Sequence, residues 1–213
     1  MIYAENILLC IAIPMLLSLL FVRGNVQQFV GAFLVGMGLC LVSAYIGGYL
    51  NLISGMGAEE TAIFISPIVE EIMKFLPLLF LLFLVQAENE GLVMAAAGIG
   101  TGFATFENCC YILSSGVEKL AYVMIRGMAV GVMHIVSVLA LSLSLVIARR
   151  NKVISFPGIM GALSLSSTFH ALYNLLVSRP GISAHIGYAL PILSALALYL
   201  AYRRLRNLHK GEN

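Results

Sequence analysis

Apolar residues run along this chain in blocks too long and too unbroken for the helices of a soluble domain, and polar positions fall mostly between the blocks. Stretches near 5–22, 28–53, 62–86, 92–113, 120–148, 157–178 and 182–202 predict seven segments, each about long enough to cross a hydrocarbon core of ~30 Å. Each must be a helix, because in lipid every backbone polar group has to be satisfied within its own segment. In the third segment Ser66-Pro67 has the form of a cap followed by a first-turn proline, which predicts a helix start there with residues 58–65 at the interface. Small residues on Gly31, Gly36, Gly47, Gly98, Gly102, Gly127 and Gly131 would let neighbouring helices approach closely. There is no internal repeat and no low-complexity linker. The expected architecture is all-α: a polytopic membrane helix bundle of about seven transmembrane helices, forming a single integral membrane domain over residues 1–213.

Composition agrees. With 61% hydrophobic and 10% charged residues and a mean hydropathy of +0.99, a soluble globular reading is excluded. Glu5 and the lack of Lys or Arg before the first apolar block make that block a first span and not a cleaved signal peptide. Cys10, Cys40, Cys109 and Cys110 lack metal-type spacing and read as small packing residues.

Loop charge sets the expected orientation. Arg23, Arg149, Arg150, Lys152, Arg203, Arg204, Arg206 and Lys210 fall on one side of a seven-span chain, whereas the other side holds only Lys119 and Arg179. The basic side is cytoplasmic, so the N-terminus lies outside and the C-terminus inside. The acidic loop 86–91 departs from the trend, but acids contribute little to it. A net charge of +2 reflects the basic tail and implies no nucleic-acid role.

Seven residues interrupt the apolar blocks: Glu70, Glu71, Lys74, Glu107, Arg126, His134 and His170. Charge at membrane depth is costly and marks a pathway, relay or reactive site. A buried ion pair needs two such residues, and seven on four spans exceed that. Glu70, Glu107, His134 and His170 each lie roughly 5–16 Å below the same boundary of their spans, which points to one shared, water-accessible cavity. Glu70 and Glu71 are i,i+4 and i,i+3 to Lys74, so Lys74 can offset part of their charge. Phe103 shares a face with Glu107 and packs. His170 and Asn174 are i,i+4 and can act on one ligand atom. Arg126 is open between an interfacial anchor, a counter-charge and a substrate contact. His185 and His209 read as surface residues.

Glu-Glu-x-x-Lys at 70–74, Phe-x-x-x-Glu at 103–107, a mid-helix His at 134 and His-x-x-x-Asn at 170–174, each on its own helix in this order, resemble the PrsW family. These are polytopic intramembrane proteases related to the CAAX prenyl endopeptidases and the ABI proteins. The resemblance covers a catalytic core of about residues 60–178. Lys74 and Glu107 stand where the wider superfamily has Arg and His, as in the PrsW branch; Asn174 departs from the Asp common there and can only hydrogen-bond.

The resemblance implies an intramembrane endopeptidase with catalytic residues Glu70, Glu71, Glu107, His134, His170 and Asn174. That reaction needs an activated water and stabilisation of an oxyanion. In one mechanism Glu107, His134 and His170 bind zinc and Glu70 or Glu71 is the base. In the other there is no metal: Glu70 activates water, and His170 with Asn174 donates to the oxyanion. The implied partners are the lipid bilayer and a single-pass membrane protein substrate, such as an anti-sigma factor, cut near its external end. The rivals are a proton- or ion-coupled transporter, whose broken helices and repeats are not evident, and a non-catalytic membrane scaffold.

Overall fold

The computed structural model describes residues 4–115, 120–150 and 155–210. Among them the only regular structure is helical. The helices are α1 (Ala4–Ser18), α2 (Gly24–Ser54), α3 (58–83), α4 (Asn89–Ser115), α5 (Leu120–Arg150), α6 (Ser155–Ser178) and α7 (Ile182–Lys210). These coincide with the seven apolar blocks. Among the described residues, three stretches are long and apolar enough to cross a bilayer: Gly24–Ser54, Leu120–Arg149 and Ile182–Leu200. Helix α3 falls short by composition because Glu70, Glu71 and Lys74 sit within it.

Two boundaries differ from expectation. The run 58–83 is helical throughout: one α-turn Ala58–Glu60, a π-helical stretch Thr61–Ile65 and the α-helix Ser66–Phe83. Ser66-Pro67 therefore marks the end of a π-bulge and not a free helix start, and Pro67 is tolerated because it falls in the first turn after the change of pitch. The basic C-terminal residues, read as a tail, belong to α7, which continues to Lys210.

Helix α2 ends at Gly55, whose φ of +67° is the left-handed conformation glycine adopts without penalty and whose N–H bonds back to the Asn51 carbonyl. The Asn51 amide then donates to the Met56 carbonyl at 2.9 Å and to Thr61 Oγ1 at 2.6 Å. These bonds fix the connection into the π-stretch.

The centre of the bundle is α4, flanked by α2 and α5. A methyl group at Gly36 or Gly102 would overlap the backbone of Ile99 or Phe33, so α2 and α4 touch main chain to main chain. At Gly100 a Cβ would come within 2.9 Å of Ile135 Cα and 3.0 Å of the His134 carbonyl. This approach brings His134 against α4. Gly31, Gly127 and Gly131 instead have open space beside them. Phe75, Leu78, Ala96, Ile99, Val138, Leu141 and Leu145 pack α3, α4 and α5 together at one end of the bundle. Toward the other end, Met37 and Cys40 pack on Phe103 and Phe106, while Ala129, Val130 and Met133 pack on Tyr173. All four cysteines are free. Between these apolar zones lie the polar residues of α3 to α6.

Candidate functional site

Helix α3 presents Glu70 and Glu71 about 100° apart, so only one can face any given side. Glu71 turns into the bundle and is fully buried; Glu70 faces a cavity with 18% of its side chain exposed. Lys74 follows Glu71: its Nζ lies 2.6 Å from Glu71 Oε1, the i,i+3 pairing. It also donates to His134 Nδ1 at 2.8 Å and sits 4.5 Å from the centroid of the Phe103 ring. An ammonium has no lone pair, so Nδ1 of His134 must accept, and the ring proton belongs on Nε2. There it faces Glu107 Oε2 at 2.5 Å. Glu71 Oε1 also meets His170 Nδ1 at 3.0 Å, which turns Nε2 of His170 toward Glu70 Oε2, 3.8 Å away. The two imidazoles stand edge to face with centroids 5.0 Å apart. Glu71, Lys74, His134, Glu107 and His170, from four helices, thus form one continuous hydrogen-bond network with Glu70 beside it, and Lys74 joins its two halves.

Arg126 supplies the second positive charge. Its guanidinium donates to Asn108 Oδ1 at 3.2 Å and lies 3.5 Å from Glu107 Oε1, while it stacks on the Tyr111 ring at 3.5 Å. Of the roles open to it, this geometry makes it a counter-charge to Glu107.

The cavity beside this network has a volume of about 400 Å³. Glu70, Glu107, His170 and Asn174 line its depth; Glu59, Tyr122 and Ser178 line the end where α3 and α5 begin and α6 finishes. Glu71 and His134 lie behind the cavity wall, fully buried. Asn174 donates to the Ala62 carbonyl in the π-stretch at 2.9 Å, which leaves one of its two amide hydrogens uncommitted by that bond. Tyr111, Tyr122, Tyr173 and Tyr188 also line the cavity, and Tyr111 and Tyr122 share a hydroxyl contact of 3.1 Å. Sequence reasoning missed this ring, since tyrosines near span ends look like interfacial anchors. It also missed Asn108, whose only sequence signal is its position next to Glu107.

The chain matches the family model described as PrsW family intramembrane metalloprotease over residues 24–201. The chain belongs to the PrsW family. No curated protein and no solved structure matches it. As a PrsW protein with three helices apolar and long enough to span a bilayer, it is an integral membrane protein of an intramembrane metalloprotease family.

A PrsW metal needs a donor set, and the structure offers one. Glu70, His134 and His170 each have a ligand atom within 4.8 Å of the others. One carboxylate and two imidazoles suit a divalent cation that keeps an open position. The Oε2 atoms of Glu70 and Glu71 are buried without a hydrogen-bond partner, the condition of a carboxylate awaiting a cation. Charge agrees: with neutral histidines, Glu70, Glu71 and Glu107 outnumber Lys74 and Arg126 by one. Glu107, expected as the third ligand, is hydrogen-bonded to His134, and Glu70 joins the two histidines in the group within that 4.8 Å limit. A metal on His134 must displace one of its contacts to Lys74 and Glu107. The residues fit the group.

Proposed function

We propose that this protein is an intramembrane endopeptidase that hydrolyses a peptide bond of a membrane-anchored protein in the cavity between α3, α4, α5 and α6. The observation that carries the reading is the clustering of Glu70, His134 and His170 within 4.8 Å of one another, with Glu70 and His170 on the cavity and His134 just behind its wall, in a chain of this family.

Glu70, His134 and His170 would hold a zinc ion, which when bound supplies a Lewis acid for the peptide carbonyl and the water. Glu107 is the general base: its carboxylate reaches the cavity, and its charge is balanced by Arg126 on the far oxygen. Glu71 is a positioning residue that holds Nδ1 of His170 and so fixes which nitrogen faces the cavity. Lys74 pairs with Glu71 and holds the ring of His134. The free amide hydrogen of Asn174 is available to the developing oxyanion. The metal-free route draws support from the engagement of both nitrogens of His134; there Glu70, with its unpartnered oxygen, activates water.

All seven helices cross the membrane in this reading, with the N-terminus outside and the basic end of α7 in the cytoplasm. The cavity then opens to the external face, where water is plentiful, and the substrate is a single-pass protein cut near its external end. A membrane-anchored regulator such as an anti-sigma factor fits that description.

The test is cleavage of single-pass reporter proteins by the purified protein in nanodiscs. Cleavage abolished in Glu70→Gln and His170→Ala supports the enzyme; wild-type protein that cleaves no reporter but moves protons across vesicles would favour the transporter instead.

A further inference from the structure

Away from the site, a second cavity of about 380 Å³ opens between α4, α5 and α7. Val93 of α4, the α5 face from Val132 to Leu143, and Ala195 of α7 wall it; every lining side chain except Tyr199 is aliphatic. Along α5 the lining spans twelve residues, a rise of about 16 Å, which is close to half the ~30 Å hydrocarbon core of a bilayer. A cavity one leaflet deep whose lining is aliphatic apart from Tyr199 has the shape and polarity of a single acyl chain.

Its two ends differ. Past Leu143, α5 reaches Arg149, and past Tyr199, α7 reaches the exposed Arg203 one turn on. Arg149 donates to the Ala87 carbonyl at 2.7 Å and lies 3.4 Å from Asn89 Oδ1, which holds it beside the start of α4. The acids of that region, Glu88 and Glu90, line a separate cavity with Gln28 of α2. At the opposite end, Arg126 is turned into the catalytic cavity against Glu107. Among the described residues, Arg149 and the exposed Arg203 place positive charge at the first end, about where a lipid phosphate would sit above its chain.

We infer that this cavity is a binding site for an anionic phospholipid, with one acyl chain between α5 and α7 and the headgroup at Arg149 and Arg203. The site requires that α5 and α7 cross the bilayer, and both are long and apolar enough. It does not depend on the protease reading.

The chain contains no tryptophan, so one introduced Trp reports alone. Tyr199→Trp places the probe at the cavity edge; Leu200→Trp places it one residue on, at the same depth but outside the lining, where Leu200 is 54% exposed. Both variants go into phosphatidylcholine vesicles doped with a small fraction of brominated phosphatidylglycerol. Quenching at 199 should exceed that at 200, and brominated phosphatidylcholine should give no such excess. Arg203→Gln in the Tyr199→Trp background should lower the preference about fivefold, the worth of one basic residue near an anionic surface. Ala195→Phe should abolish the excess by filling the cavity; if that variant fails to fold, Val93→Phe fills it from the opposite wall. Equal quenching at 199 and 200, an equal excess with brominated phosphatidylcholine, or an excess that survives the filled cavity would overturn the site.

Discussion

Lys74 is where the structure can be tested hardest, because a fully buried ammonium touches both halves of the polar network. In Lys74→Met the stem volume is kept while the contacts to Glu71 Oε1 at 2.6 Å and His134 Nδ1 at 2.8 Å are lost. Glu71 is then a fully buried carboxylate with one oxygen already unpartnered. Removing one member of a buried pair typically costs about 3–5 kcal/mol, because the other charge is left uncompensated. Removing both together costs far less, so Glu71→Gln combined with Lys74→Met should recover at least ~2 kcal/mol of that loss. Cys40, buried against Phe103 and Phe106, supplies the probe: with the other three cysteines replaced by serine, its maleimide labelling across a denaturant series reports opening of the α2–α4 core. A Lys74→Met variant within about 0.5 kcal/mol of the parent, or a double variant no better than that single one, would refute the reasoning.

Zinc should copurify near one per chain and fall in Glu70→Ala, His134→Ala and His170→Ala; an active, metal-free, chelator-insensitive preparation would select the carboxylate route. Gly102→Leu should lose about 1–3 kcal/mol or fail to fold, measured by the same Cys40 labelling, because a side chain there drives α2 from α4, whereas Gly127→Leu, with open space beside it, should stay close to the parent. Cysteines placed at Lys210 and Glu59 should be labelled from opposite faces of intact cells, Lys210 from inside; the reverse would invert the topology.

Much of this was legible in the chain because apolar blocks of ~20 residues leave few alternatives. Helices α1 to α7 follow the seven blocks, and the polar residues of four of them meet, as their common depth implied. Rotation about each helix axis was not legible. Spacing alone allowed Lys74 to pair with Glu70 or Glu71, and which acid faces the cavity depends on how α3 packs on α5 and α6. The same rotation decides that Glu70 joins the histidines while Glu107 reaches His134 across from α4. That Asn174 spends one amide hydrogen on the Ala62 carbonyl was not legible, because the π-stretch that supplies this partner leaves no mark in periodicity. The tyrosine ring went unread because four residues on four helices share no spacing.

The π-stretch at Thr61–Ile65 carries one residue more per turn than an α-helix. Deleting a single residue there would restore regular pitch and leave the register of Glu70, Glu71 and Lys74 untouched. A π-stretch absorbs its extra residue by turning less per residue than the ~100° of an α-helix, so everything before the deletion would keep its facing, and Glu59 would stay at the mouth of the cavity. Loss or gain of a residue in this segment is therefore taken up locally, at the Ala62 carbonyl that Asn174 meets, without turning either the rim or the groups that react.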